Sequence, residues 1–166
     1  MLEVFYPDLI YNSIYDIDLQ ALKNLGIAGL ILDVDNTMVE PGEREPNNEL
    51  LEWLNKVRGA DLSMCILSNA GRKRVASFAS GLGIFAISHA GKPSRKGFKK
   101  AMRLMGLDCD TVCMIGDQLF TDVYGAKKNG IYAIYVRPFV LWEVFTVMLK
   151  RIPEYFVLRS YFKRQE

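Results

Sequence analysis

A three-layer α/β fold around a mainly parallel sheet is what this chain of 166 residues predicts. Three observations point there. Five short apolar runs recur along the chain, continuous rather than alternating, as strands buried on both faces are. Helix-like stretches separate them. Gly or Asn closes several of those stretches, where a left-handed cap is expected. Strands and helices alternating in this way form right-handed crossovers, with helices on both faces of the sheet.

The elements follow in order. Residues 29–34 (GLILDV) predict the first strand, and 47–56 a helix. Residues 62–67 (LSMCIL) predict the second strand, followed by a helix over 72–81 that ends at Gly81. Residues 84–88 (IFAIS) predict the third strand, and the helix over 94–105 is closed by Gly106. Residues 111–115 (TVCMI) and 131–136 (IYAIYV) predict the last two strands, with a helix over 121–129 between them ending at Asn129-Gly130. No repeat or linker interrupts the pattern. One domain over 1–166 is expected, with a core at about 27–138 and a tail from about 139 to 166; a length near ~150 residues is ordinary for one domain.

Composition narrows the function classes. Half the residues are hydrophobic and 24% are charged, which leaves ample material for a core and excludes low-complexity disorder. The longest apolar stretch, 139–149, contains Glu143 and is followed by Lys150-Arg151, too short and too charged for a membrane span of ~20 residues. The opening MLEVFYPDLI has acids and no basic region, so no secretory signal is expected there. Three cysteines without a paired CxxC read as reduced cytosolic core thiols. A cytoplasmic location is therefore expected. A single histidine, His89, argues against a histidine-rich zinc site or a histidine-dependent triad. The net charge of +2 is uneven: residues 1–136 carry 15 basic against 16 acidic groups, and residues 137–166 carry 6 against 3. That tail suits an acidic partner or surface, but no basic stripe or nucleic-acid motif accompanies it.

Ligands in doubly wound folds bind beyond the carboxyl ends of the strands. The first strand ends in Asp33-Val34-Asp35-Asn36-Thr37. Two carboxylates leaving a buried strand are costly unless they hold a metal or work as acid and base; an Asx-turn closing the strand is the plainer alternative. The second strand ends in Ser68-Asn69, a hydroxyl and an amide able to donate to phosphate or to cap the next helix. After the third strand comes Lys92, at a strand-to-helix turn, heading a run of six basic residues to Arg103. The fourth ends in Gly116-Asp117, with Asp122 five residues on; Thr121 or Asp122 would also serve as a helix cap. Acids for a divalent cation, one carboxylate to attack phosphorus, and Lys and hydroxyl donors for phosphate oxygens form a closed chemical set. Oxygen ligands alone suit Mg²⁺.

The order DxDxT, S, K, GDxxxxD over about residues 27–138 resembles the haloacid-dehalogenase-like (HAD) phosphatase superfamily. More narrowly, LDVDNTMVEP, LSNAG, HAGKPSRKGF and MIGDQLFTDVYGAKKNGIYAIYVRP resemble its subfamily IIIA, the YqeG-like and phosphatidylglycerophosphate phosphatase group. The resemblance implies a Rossmann-like fold and an Mg²⁺-dependent phosphomonoester hydrolase working through an aspartyl-phosphate. It makes Asp33 the nucleophile and Asp35 the general acid, then base. Thr37, Ser68, Asn69 and Lys92 would bind the substrate phosphate, with Lys92 also counted in the catalytic set and Lys96 its rival. Asp33, the main chain of Asp35, Asp117 and Asp122 would hold the metal, Asp122 directly or through water. His89 is expected to be structural or peripheral, and Arg72-Lys73-Arg74 a solvated face.

Neither 37–62 nor 88–111 has room for a folded cap, so no sizeable cap domain is expected. An open site suits a large substrate such as a lipid head group, or closure by a neighbouring subunit. The basic, aromatic tail would lie on the inner face of a membrane, or pack back on the domain or a second copy. Phosphatidylglycerophosphate is the expected substrate, a soluble sugar or nucleotide phosphate the alternative. A noncatalytic module on the same fold is disfavoured, since every motif position is filled.

Overall fold

The computed structural model describes residues 2–140 and 145–164, with the backbone alone over 145–151. Six strands form one wholly parallel sheet: β1 (Leu9–Tyr11), β2 (Gly29–Leu32), β3 (Ser63–Leu67), β4 (Phe85–Ile87), β5 (Val112–Gly116) and β6 (Tyr132–Val136). Their order is β1-β6-β5-β2-β3-β4. The chain winds from β2 outward through β3 to β4, then returns to the other side of β2 as β5. The order therefore reverses between β2 and β5, and the crevice beyond their carboxyl ends is where such folds bind ligands.

The helices are α1 (Leu19–Asn24), α2 (Asn48–Gly59), α3 (Arg72–Ala79), α4 (Arg95–Met105), α5 (Tyr124–Lys128) and α6 (Phe145–Phe162). They divide the core in two, as a three-layer fold requires. Leu22, Leu50, Leu54 and Phe78 from α1, α2 and α3 pack with Leu30, Leu32, Ile66 and Ile134 on one face of the sheet. Phe98, Ala101, Ala126 and Val157 from α4, α5 and α6 pack with Ile31, Cys65, Met114 and Tyr135 on the other. Alternate residues of each strand enter opposite cores, which is why continuous apolar runs were needed.

Local signals account for the ends. Asn47 caps α2 by accepting from the Leu50 amide, and Gly106 closes α4 in the left-handed region at φ 68°. Between β2 and β3 lie a loop and α2, and between β4 and β5 a loop and α4, so no cap domain is inserted. Cys65 and Cys113 are buried core thiols, both pushed up by that burial, Cys65 to about 12, whereas Cys109, expected in the core with them, is exposed in the loop ahead of β5.

Three differences from the expected elements have physical causes. β1 and α1 lie ahead of the expected core; a three-residue edge strand is too short to show a period. The third expected strand shrinks to Phe85–Ile87, and two of its three residues are exposed because it is the sheet edge. The helix expected over 121–129 begins as one wide π-helical turn, Leu119–Val123, before α5. The Val123 amide reaches back five residues to the Gln118 carbonyl while the Asp122 carboxylate accepts from the Gln118 amide. π-Turns of this kind recur at functional sites. Among the described residues no helix is long and apolar enough to cross a membrane.

Candidate active site

The sheet stops at Leu32, and Asp33 leaves it at the centre of the crevice, 5% exposed. The loop then turns sharply. Asn36 takes a left-handed φ of 62°, which Asn tolerates better than other side chains, and its amide donates to the Val39 carbonyl. The expected turn and the expected acid pair are thus both present, with the turn aiming the acids. Asn36 also exchanges two hydrogen bonds with the Val140 backbone (3.1 and 3.0 Å), which fastens the chain beyond β6 to this loop.

Asp33, Asp117 and Asp122 converge from two segments, the exits of β2 and β5, each offering a carboxylate oxygen within 4.8 Å of the others, and all three are buried. Lys92 enters from the β4 side. Its Nζ lies 2.6 Å from Asp33 and 2.7 Å from Asp122. The Thr37 hydroxyl donates to Asp117 at 3.3 Å. Gly116 makes the approach possible: a Cβ there would lie 2.4 Å from the Asp122 carboxylate.

Among the described residues, Asp33 and Asp122 share the single ammonium of Lys92, and burying carboxylates in this way is costly unless their charge is offset. Burial pushes Asp33 up to about 7; Lys92 opposes the shift and the charge of Asp122 adds to it. Burial disfavours the charge on Lys92, but Asp122 and Asp33 outweigh it and hold the ammonium above the ordinary lysine range. The donor set, three converging carboxylate oxygens, fits a hard divalent cation.

The remaining expected residues fall around this cluster. Ser68 is buried, its hydroxyl accepting from the Ala70 amide at 3.2 Å. Asn69 brackets Lys92: its carbonyl accepts from the Lys92 amide at 2.8 Å and its amide donates to the Lys92 carbonyl at 3.3 Å. Asn69 therefore positions the lysine by joining the β3 and β4 loops. Lys96, the rival, is exposed on α4. His89 is exposed, with φ 47°, and donates its amide to Ala70.

Two partners were not foreseen. Arg74, expected on a solvated face, pairs with Asp35 at 2.8 Å and lies over the Phe78 ring. A basic triplet opening a helix carries no mark of which member turns inward. Glu154 of α6 is 2% exposed and accepts from the Leu119 amide at 2.7 Å, two residues beyond Asp117. A single acid within an aromatic helix was a signal available for it.

A doubly wound sheet with these acids and one lysine at its switch point defines a hydrolase of the HAD type. The HAD-hydrolase-like family profile matches residues 89–138. The chain is 36% identical over 156 residues, 94% of its own length and 91% of the other's, to "Probable phosphatase YqeG" of Bacillus subtilis (strain 168). It is 30% identical over 164 residues to the chloroplastic phosphatidylglycerophosphate phosphatase 1 of Chlamydomonas reinhardtii, of which it spans 61%. Among solved structures it resembles an uncharacterized Listeria monocytogenes serotype 4b protein (TM-score 0.55, 20% identity, 66% of this chain and 78% of that one). It also resembles CbbY of Rhodobacter sphaeroides in complex with phosphate (0.52, 12%, 68% and 87%); both likenesses concern the fold. The chain belongs to the HAD-like hydrolases, and it is a phosphatase of the YqeG kind.

Proposed function

We propose that the chain hydrolyses a phosphomonoester through an aspartyl-phosphate on Asp33, with Mg²⁺ held by Asp33, the Asp35 main-chain carbonyl, Asp117 and Asp122. The observation that carries this reading is the buried convergence of Asp33, Asp117 and Asp122 at the sheet's switch point, with Lys92 paired to Asp33 and Asp122. An Asp33 oxygen bonds to phosphorus as the bond to the leaving oxygen breaks, and Asp35 gives that oxygen its proton. A water oxygen then bonds to phosphorus, Asp35 takes the water's proton, and the Asp33–phosphorus bond breaks. Lys92 neutralises phosphoryl oxygens, with the Thr37 and Ser68 hydroxyls as donors and Asn69 holding the lysine in place. Mg²⁺, when bound, supplies charge that offsets the carboxylates and polarises a phosphoryl oxygen.

The substrate reading is a lipid phosphomonoester, phosphatidylglycerophosphate by similarity to the named relatives of that activity. The absence of an inserted cap and the exposed aromatic and basic groups of α6 support a bulky amphiphile, met at the inner face of a membrane. The second reading, a soluble sugar or nucleotide phosphate, draws on the same open site. The test is phosphate release from a panel of lipid, sugar, nucleotide and aryl phosphates. Mg²⁺ should support turnover, and chelation should abolish it. Ca²⁺, preferring more and longer contacts of ~2.3–2.6 Å, should inhibit. Full turnover after exhaustive chelation sinks the metal assignment.

A further inference from the structure

A groove of about 1010 Å³ opens between α6 and the carboxyl ends of β1 and β6. Its walls are largely apolar, with Ile10, Tyr135, Phe139, Leu158 and Phe162 among them. Phe139 and Phe162 are 43% and 47% exposed, large rings left in water beside a concave surface. Arg137, Arg159 and Lys163 also line it, and among the described residues the one acid there, Glu154, is turned inward to the Leu119 amide.

Both walls are fastened to the catalytic loops. Phe139 precedes Val140, whose backbone is paired twice with Asn36, between Asp35 and Thr37. Glu154, on the helical wall, holds the loop that runs from Asp117 to Asp122. The sheet register gives the distance. Tyr135 pairs with Gly116, and Ile115 with Leu32, so Tyr135 stands level with Asp33 two strands away. At ~4.8 Å per strand, the groove begins roughly 10 Å from the nucleophile's strand.

We propose that this groove takes the hydrocarbon tail of the phosphomonoester substrate, an anionic amphiphile. The proposal rests on the phosphatase reading above, which places the phosphate at Asp33. Apolar walls match the tail. The three basic groups match the negative charge that an amphiphile of this kind carries near its head. The span of two strands sets the length of tail needed before contact begins.

The test measures kcat/KM for monoalkyl phosphates of rising chain length, each below its micelle concentration, against phenyl phosphate. Chains too short to span roughly 10 Å should gain nothing over one another. Beyond that length each buried methylene should raise kcat/KM about fourfold until the groove is filled. Leu158→Trp narrows the groove, and Phe162→Glu puts a charge on an exposed wall position where folding is least at risk. Each should lower the ratio of long-chain to phenyl phosphate turnover at least tenfold. A flat chain-length profile, or an unchanged ratio in both variants, overturns the proposal. Calorimetric binding of decyl phosphonate separates the two levels. If nothing is hydrolysed yet the wild type binds decyl phosphonate and both variants do not, the phosphatase reading fails and the groove stands. Turnover of phenyl phosphate with no tail dependence fails the groove alone.

Discussion

The exits of β2 and β5 and the outer face of α6 handle their side chains in opposite ways. At the strand exits, charged groups are buried and hold one another: Lys92 bridges Asp33 and Asp122, Thr37 reaches Asp117, and Asn69 grips the lysine's backbone. Along α6, Val157 and Glu154 turn inward, while Ile152, Tyr155 and Phe156 stand 60% or more exposed. The first region puts charge where burial is costly, the second puts apolar surface where water is. Each is unfavourable for stability alone, and the proposals above give each a ligand to offset it: a cation and phosphate in one, a hydrocarbon tail in the other. The difference lies in coupling. Removing one member of the buried set leaves its partners uncompensated, whereas changing one exposed ring disturbs little else.

The largest effect that would break this contrast is at Asp33. Asp33→Asn should lower turnover roughly a thousandfold or more while the protein remains folded, since an amide is a very poor nucleophile. Circular dichroism with phosphate release checks both halves. Substantial residual activity would remove Asp33 from the nucleophile's place.

Lys92→Met comes next. It leaves Asp33 and Asp122 facing each other without the ammonium between them. Breaking a buried pair in this way costs about 3–5 kcal/mol. Thermal unfolding without metal should show the loss, and a divalent cation should restore part of it. An unchanged Tm would mean the cluster is not electrostatically coupled.

Under the proposed metal assignment the proton and the cation would compete for the same carboxylates, and this sharpens the comparison. Asp33 stands at about 7 folded against an ordinary 3.8, so between these values the folded state holds more protons than the unfolded one. In the absence of a cation its contribution to stability falls as pH rises from about 4 through about 7. Added Mg²⁺ should therefore raise Tm more at about pH 8 than at about pH 5. Lys92, held above its ordinary value, keeps its full contribution across that window and loses it only in strong alkali. A Tm gain independent of pH would separate the metal from Asp33.

Glu154→Gln links the two regions. The amide keeps an oxygen for the Leu119 amide but loses the charge, so about 1 kcal/mol of stability and a several-fold loss of turnover are expected. Loss of stability with turnover intact would show that α6 does not steady the Asp117–Asp122 loop.

The smallest effect belongs to the tail charges. The combined change of Lys150, Arg151 and Arg159 to Gln should slow turnover on anionic vesicles, each charge contributing at most ~1 kcal/mol near the surface, with salt reproducing the loss in wild type. Aryl phosphate turnover reports the alternative, since an equal loss there means packing and not lipid attraction. The side chains of Lys150 and Arg151 lie outside the described residues, so Arg159 alone ties this variant to the groove.

The local information in the chain determined the layered α/β class, five of the six strands, the glycine caps and the acids at the strand ends. These follow from period, turn chemistry and the cost of charge beside apolar runs, all of which act over a few residues. What only the tertiary structure decided needs contacts across the chain. The edge strand β1 gains its pairing from β6, more than 120 residues on. Arg74 finds Asp35 across 39 positions, Glu154 finds Leu119 across 35, and Asn36 finds Val140 across 104. The place of Lys92 at the strand-to-helix turn before Pro93 already favours it over Lys96, and the structure adds its ion pairs with Asp33 and Asp122. A residue type states what a group can do; only the sheet's winding order, which returns β5 beside β2, brings Asp33 and Asp117 close enough for their charges to matter to each other.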